Sequence, residues 1–382
     1  MNTAIPPGHW DVAIIGAGPA GCALACALAP GHRVLVVERH VEASRLRIGE
    51  SLPGAALPIL ARLGLDAAFL QSGHTPRGAT VSAWDTAEPV WRDSLRDPAG
   101  TGWHLDRARF DAQLRQAAAA RGATLLHGAV QHVARGSDRT WQFDVESAGL
   151  ARRHSAQVVV DAGGRSSRLA RLLGATREEA EPVLCLHVFL QPHDDDRDQR
   201  TVIEAAPYGW WYSVRTPSGG RVVALHVDAQ DPHRRQWRDP GNFFAAARQC
   251  PLVAGVIGAR TAPTVEVRPA GASRLSEPAG TGWLAVGDAA VAFDPIASQG
   301  LFHALASGHH GAQVIADILA GRPSALVQYA RETQAVWERY RVHAALTYSG
   351  PERFRRHPFW AARRVSHATL PAQRAALAQA GH

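Results

Sequence analysis

Short, unbroken apolar runs bounded by glycine or charge mark the first half of the chain and return near residue 283. DVAIIG (11–16), RVLVVER (33–39), VVVDAGG (158–164) and WLAVGD (283–288) are each too short for a core helix. They suit parallel strands buried on both faces. CALACALA (22–29) after the first run reads as a helix of small residues. Between 181 and 275 the pattern changes to longer strand-like runs. These are PVLCLHVFL, RTVIEAA, GWWYSVRT and GRVVALHVDA, with turn signals such as HDDDRDQ and TPSGG between them. Beyond 321, Tyr329, Val336, Trp337, Tyr340 and Ala344 recur at spacings that define one apolar helical face. The pattern predicts an α/β chain, α+β overall. A Rossmann-like dinucleotide domain carries an inserted antiparallel β-sheet domain and ends in a helical segment. The expected boundaries are 1–75, 101–180 and 276–320 for the first, 76–100 and 181–275 for the insert, and 321–382 for the helical end.

Composition narrows this only slightly. The chain has 382 residues, 46% hydrophobic and 20% charged, as expected of a globular protein. The start MNTAIPPGHW lacks a signal-peptide pattern and no apolar stretch is long enough to span a membrane, so neither is expected. Cys22, Cys26, Cys185 and Cys250 show no CxxC spacing. They read as reduced core residues in a cytoplasmic protein. The formal charge is +7 and lysine is absent; arginine supplies every basic side chain other than histidine. That excludes a lysine nucleophile or lysine general acid. No nucleic-acid motif accompanies the positive charge. The acidic trio Asp194, Asp195 and Asp196 reads as a solvated hairpin loop rather than a metal site. For Arg353, Arg355, Arg356, Arg363 and Arg364, a solvated basic face and a docking surface for a protein or acidic substrate both stand.

GAGPAG follows the first strand and opens the small-residue helix. Gly16 permits the tight turn, Gly18 lets a pyrophosphate approach the backbone, and Gly21 lets helix and sheet pack closely. Pro19 and Ala20 begin a helix whose N-terminus faces the phosphates. Glu38 ends the second strand about 20 residues on, where a carboxylate can accept from ribose hydroxyls. Arg39 stands beside it for the adenine. By itself this fingerprint fits NAD or FAD.

The segment WLAVGDAAVAFDPIASQGLFHA (283–304) resembles the second FAD motif of the aromatic hydroxylase superfamily. The resemblance implies that Asp288, after Gly287, holds the ribityl chain and that Pro295 sits over the flavin ring. Ser298, Gln299, Gly300 and Leu301 would present helix-start amides to the pyrimidine edge. VVVDAGGRSS resembles that superfamily's middle motif, with Asp161 and Gly163. WHLDRARFDAQLRQAA also resembles that superfamily, and the resemblance implies that Arg107 contacts the flavin or pyrophosphate side of the cofactor. IGESLPGAALPILARLGL resembles the GE[AS]xxP segment of tryptophan halogenases and their non-halogenating cousins, and puts Glu50 and Ser51, with Arg47 shortly before, beside the flavin.

Halogenases of that group use a lysine after this segment, where this chain has HTPRGATVSAWD and only Arg77. EAAPYGWWYSVRT, AVAFDPIASQG and PERFRRHPFWAARR are similar to flavoproteins that mature cysteine tryptophylquinone oxidases. This resemblance implies an FAD-dependent monooxygenase that hydroxylates an electron-rich ring through a flavin hydroperoxide. The ring would be a Trp side chain of a partner protein, with O2 as oxidant and NADH, NADPH or a separate flavin reductase as electron source. Pro295, Glu204, His303 and Trp211 are the candidate catalytic residues. Trp210, Phe293 and Phe302 are candidate walls, and His226 a further candidate base. Two alternatives stay open. One is a small-molecule aromatic monooxygenase or halogenase-like enzyme; the other is a flavin-containing maturation chaperone without turnover.

Overall fold

A computed structural model describes residues 8–40, 48–180 and 182–365. The apolar runs of the sequence assemble into a parallel sheet. His9–Ile15 lies between Leu150–Asp161 and Val34–Glu38. Thr124–His127 extends the sheet on one side and Trp283–Ala285 on the other, all in parallel register. Strands Ala129–Arg135 and Trp141–Ser147 continue it antiparallel from the long strand Leu150–Asp161. Val12, Val34 and Val160 are fully buried, as strands covered on both faces require.

Helix Pro19–Leu28 packs on this sheet and against the long helix Gly300–Leu319. Small residues allow the approach: a Cβ added to Gly308 would lie 2.3 Å from the carbonyl oxygen of Ala20. Cys22 and Cys26 lie in this core as free thiols.

A seven-stranded sheet stands apart from the first. Its order is Glu266–Pro269, Val183–Leu190, Arg221–Asp228, Gly209–Arg215, Thr201–Ala206, Thr80–Ala83, Val90–Arg92. The four strands expected from residues 181–275 are present. One pairing departs from antiparallel: Thr201–Ala206 runs parallel to Thr80–Ala83. Side chains alternate between faces. Leu186, Val188, Trp211, Val223, Leu225 and Val227 pack on helices Pro240–Arg248 and Pro251–Ile257. Cys185, Trp210, Tyr212 and His226 face the other way, toward a cavity.

Helix Ser324–Ser349 buries Tyr329, Trp337 and Tyr340, the face expected from their spacing. Of the acidic trio, Asp196 is a buried ion-pair partner of Arg221 at 2.6 Å and Arg260 at 2.8 Å, not a solvated residue. Two arginines need its charge inside the fold. No group of acidic, histidine or cysteine side chains suited to a metal occurs among the described residues. Arg363 is buried against Asp228 and stacked over Phe359, Arg353 donates to the Ala83 carbonyl, and Arg364 pairs with Glu352. Of the basic stretch Arg363 is buried and Arg364 half-buried, while Arg353, Arg355 and Arg356 are exposed.

Candidate flavin site

The cavity encloses about 550 Å³ between the parallel sheet, the start of helix Gly300–Leu319 and the inner face of the seven-stranded sheet. The first glycine turn forms part of its wall. Gly16 has φ +117° and sits so close to the next strand that a Cβ would lie 2.3 Å from the Ala162 carbonyl oxygen. Gly18 caps helix Pro19–Leu28, and a Cβ there would meet nothing within 4 Å. A glycine whose missing side chain opens on free space at a helix N-terminus is a cradle for a phosphate.

Glu38 is held by the amides of Ala17 at 2.7 Å and His40 at 2.8 Å, one on each carboxylate oxygen. Each oxygen keeps a lone pair for a sugar hydroxyl. Pro19, Ala20 and Arg39 line the same end. Gly21 lies in the helix behind, where a Cβ would lie 2.0 Å from the Gly16 carbonyl oxygen. Arg47 lies outside the described residues.

The middle motif works at one remove. Asp161 is fully buried and accepts from the amides of Gly163 at 2.9 Å and Ala170 at 2.8 Å. It fixes the turn that brings Gly163 and Gly164 to the cavity wall rather than reaching the cavity itself. Arg107 lines the cavity while donating to the carbonyls of Ile48 and Gly49. Ser51 lines it too and exchanges a hydrogen bond with the Tyr212 hydroxyl at 3.0 Å. Glu50 lies just behind that wall. It is 2% exposed, neither carboxylate oxygen has a partner, and burial pushes its pKa up to about 7.

Beside Ala20, Gly287 turns the chain at φ +60°, and Asp288 projects into the cavity 3.6 Å from Arg165. Pro295, Ser298, Gln299, Gly300 and Leu301 follow on the wall. No side chain caps helix Gly300–Leu319, so its first amides are open to an electron-rich ring edge. Asp294 anchors the Pro295 turn by accepting from the Ile296 amide at 2.9 Å.

Tyr348 donates to the other oxygen of Asp294 at 2.7 Å and accepts from the Trp210 indole N–H at 3.3 Å. Burial raises the pKa of both Asp294 and Tyr348. Sequence reasoning missed this tyrosine. Its only signal was a place on the apolar helical face, and nothing in the pattern says which distant loop that face meets.

The candidate catalytic residues separate on inspection. Pro295 lines the cavity. Glu204 does not: its carboxylate accepts from the amides of Leu252 at 2.9 Å and Val253 at 3.1 Å. It caps helix Pro251–Ile257 on the far face of the sheet. Trp211 sits directly opposite Glu204 in the ladder, and so shares that far face, packed on Phe243. His303 stands behind Phe293, 4.8 Å between ring centroids, and burial lowers its pKa. Phe293 itself lines the cavity; Phe302 is partly buried against the helix core. The aromatic wall is Trp210, Tyr212 and Phe293, with His226 stacked on Trp210.

A phosphate cradle, a sugar-binding acid, a second acid at the end of a later strand and open helix-start amides together fit one ligand shape, a flavin dinucleotide, and define a flavoprotein. The comparisons agree. The family model described as FAD binding domain matches residues 9–342, and the chain belongs to that family. It is a flavin-dependent enzyme.

LodB of Marinomonas mediterranea, described as an FAD-dependent oxidoreductase, is 28% identical over 357 residues, 92% of this chain and 96% of LodB. Tryptophan 2-halogenase of Chondromyces crocatus is 24% identical over 95% of this chain and 72% of its own length. Among solved structures, the flavin-dependent halogenase CmlS superposes with a TM-score of 0.83 at 22% identity, covering 98% of this chain and 70% of CmlS. QhpG, a peptidyl tryptophan dihydroxylase essential for tryptophylquinone cofactor biogenesis, gives 0.77 at 24% identity, covering 94% of this chain and 79% of QhpG. These superpositions establish the fold. No helix among the described residues is long and apolar enough to cross a membrane.

Proposed function

We propose that this protein is an FAD-dependent monooxygenase that hydroxylates an electron-rich aromatic ring, a Trp side chain of a partner protein during formation of a tryptophan-derived quinone. The observation that carries the reading is the wall of Trp210, Tyr212, Phe293 and His226 facing the dinucleotide site in a chain without lysine. Bound FAD supplies the redox chemistry and the activation of O2. Gly18, Glu38, Arg107, Asp288 and the amides of Gly300 and Leu301 hold it. Pro295 and the open helix start orient its ring end, and the aromatic wall keeps water from the substrate ring. NADH, NADPH or a separate flavin reductase provides the electrons. The name of QhpG, a peptidyl tryptophan dihydroxylase, points the same way.

Halogenation is the second reading, favoured by the likeness to CmlS and Tryptophan 2-halogenase. A guanidinium, with a pKa above about 12, is a poor substitute for the missing lysine as a proton donor. The test is intact mass of a quinone-forming oxidase co-expressed with this protein. A gain of one oxygen atom or more on a single tryptophan is expected. Oxidation or halogenation of free aromatic compounds with no change in the oxidase overturns the reading.

A further inference from the structure

His226 is 1% exposed and lines the cavity, yet neither ring nitrogen has a hydrogen-bond partner. It sits in strand Arg221–Asp228 directly between Cys185 and Trp210 of the flanking strands. Its ring lies flat on the Trp210 indole, with centroids 3.7 Å apart and planes 9° from parallel. Trp210 is itself fixed through Tyr348 to Asp294. The imidazole plane is thus held by a chain of contacts that ends at the turn carrying Pro295. Such locking by neighbours is what a positioned binding group needs, and a ring set only for packing needs no nitrogens.

Burial keeps this histidine neutral, with its pKa lowered to about 3. A neutral imidazole carries one N–H and one lone pair. The main chain of Trp210 acts in the opposite direction and favours the protonated ring. No group within the fold takes up either nitrogen.

We propose that His226 accepts a hydrogen bond from the ring N–H of a heteroaromatic substrate, an indole in the first instance. The inference rests on the aromatic-oxidation reading above and names the atom by which the ring is recognised. So weak a base cannot deprotonate a phenol. It suits a ring that is already electron-rich while it keeps its proton. An electrophile that adds to the pyrrole carbons of an indole leaves positive charge on the nitrogen. The N–H then donates more strongly, and an acceptor fixed in place stabilises the transition state more than the bound ring.

The test titrates FAD-loaded protein calorimetrically with 3-methylindole and with 3-methylbenzofuran, which has the same outline and no N–H. Wild type is expected to bind the indole about tenfold more tightly. His226→Leu should bind both rings to within about twofold, and His226→Gln, which keeps an acceptor, should retain a preference. Retained benzofuran binding in the leucine variant reports an intact cavity. Should that variant fail to fold, wild type and the glutamine variant still decide. Equal binding of the two rings by wild type, or an unchanged preference in His226→Leu, overturns the role of the histidine and leaves the aromatic reading standing. If wild type binds neither ring, the aromatic reading itself fails.

Discussion

Gly16 and Gly18 stand two residues apart and answer to different constraints. Gly16 combines a positive φ with a neighbouring carbonyl oxygen that no Cβ can share. Gly18 has ordinary backbone geometry and free space in front of it. Gly18→Val should therefore fold with a near-normal melting temperature and purify without flavin absorbance. A yellow variant would show that the phosphates do not lie on this turn. Glu50 makes a second prediction. Burial raises its pKa to about 7 from an ordinary value of 4.5. The folded state favours the protonated acid, so this contribution to stability is complete below pH 4.5 and is lost as pH rises through 7. Glu50→Gln removes the charge and keeps the shape. The variant should gain about 3 kcal/mol over wild type between acidic pH and pH 8, read from unfolding curves of flavin-free protein. Equal pH dependence in the two proteins would show that the carboxylate finds partners when ionised.

At the scale of elements, the run Gly209–Arg215 shows what a pattern can and cannot say. Its type was plain from its composition, but GWWYS is apolar at both parities, so the sequence does not state which tryptophan faces the cavity. The ladder decides it, pairing Trp210 with His226 and Trp211 with Leu225. Glu204 misled for a related reason. Pro251 announces a helix start, yet the acid that caps it comes from a strand 47 residues earlier. Glu204→Ala should cost about 0.5–2 kcal/mol of stability, as loss of a cap does, and leave flavin content unchanged. Loss of flavin at unchanged stability would restore Glu204 to the site. The glycine turns were legible because strand, turn and helix are contiguous. Tyr348 was not, because its meaning depends on a contact 138 residues away in sequence.

For the whole molecule, buried histidines set the acid limit. Burial lowers His74 and His104 to about 4 and His226 to about 3, each from 6.5. The unfolded chain takes up these protons first, so their contribution to stability is present above pH 6.5 and is lost as pH falls toward 3. The melting temperature should fall steadily below pH 6. A flat profile between pH 6 and 4 in Glu50→Gln protein, which lacks the opposing contribution of that carboxylate, would mean that these rings are charged in the folded state.

The interleaving of the chain also bears on synthesis. Strand His9–Ile15 has one neighbour at Val34–Glu38 and the other at Leu150–Asp161, and the latter pairs in turn with Trp283–Ala285. The cavity wall is braced by Tyr348 and, through it, by the last described helices. At about 5–20 residues per second, a ribosome needs roughly 20–80 s to emit 382 residues. Through most of that time the nascent chain presents apolar strand edges with no partner and half a nucleotide cradle. Flavin cannot meet its whole cavity until Ala304, the last residue of the lining, has emerged.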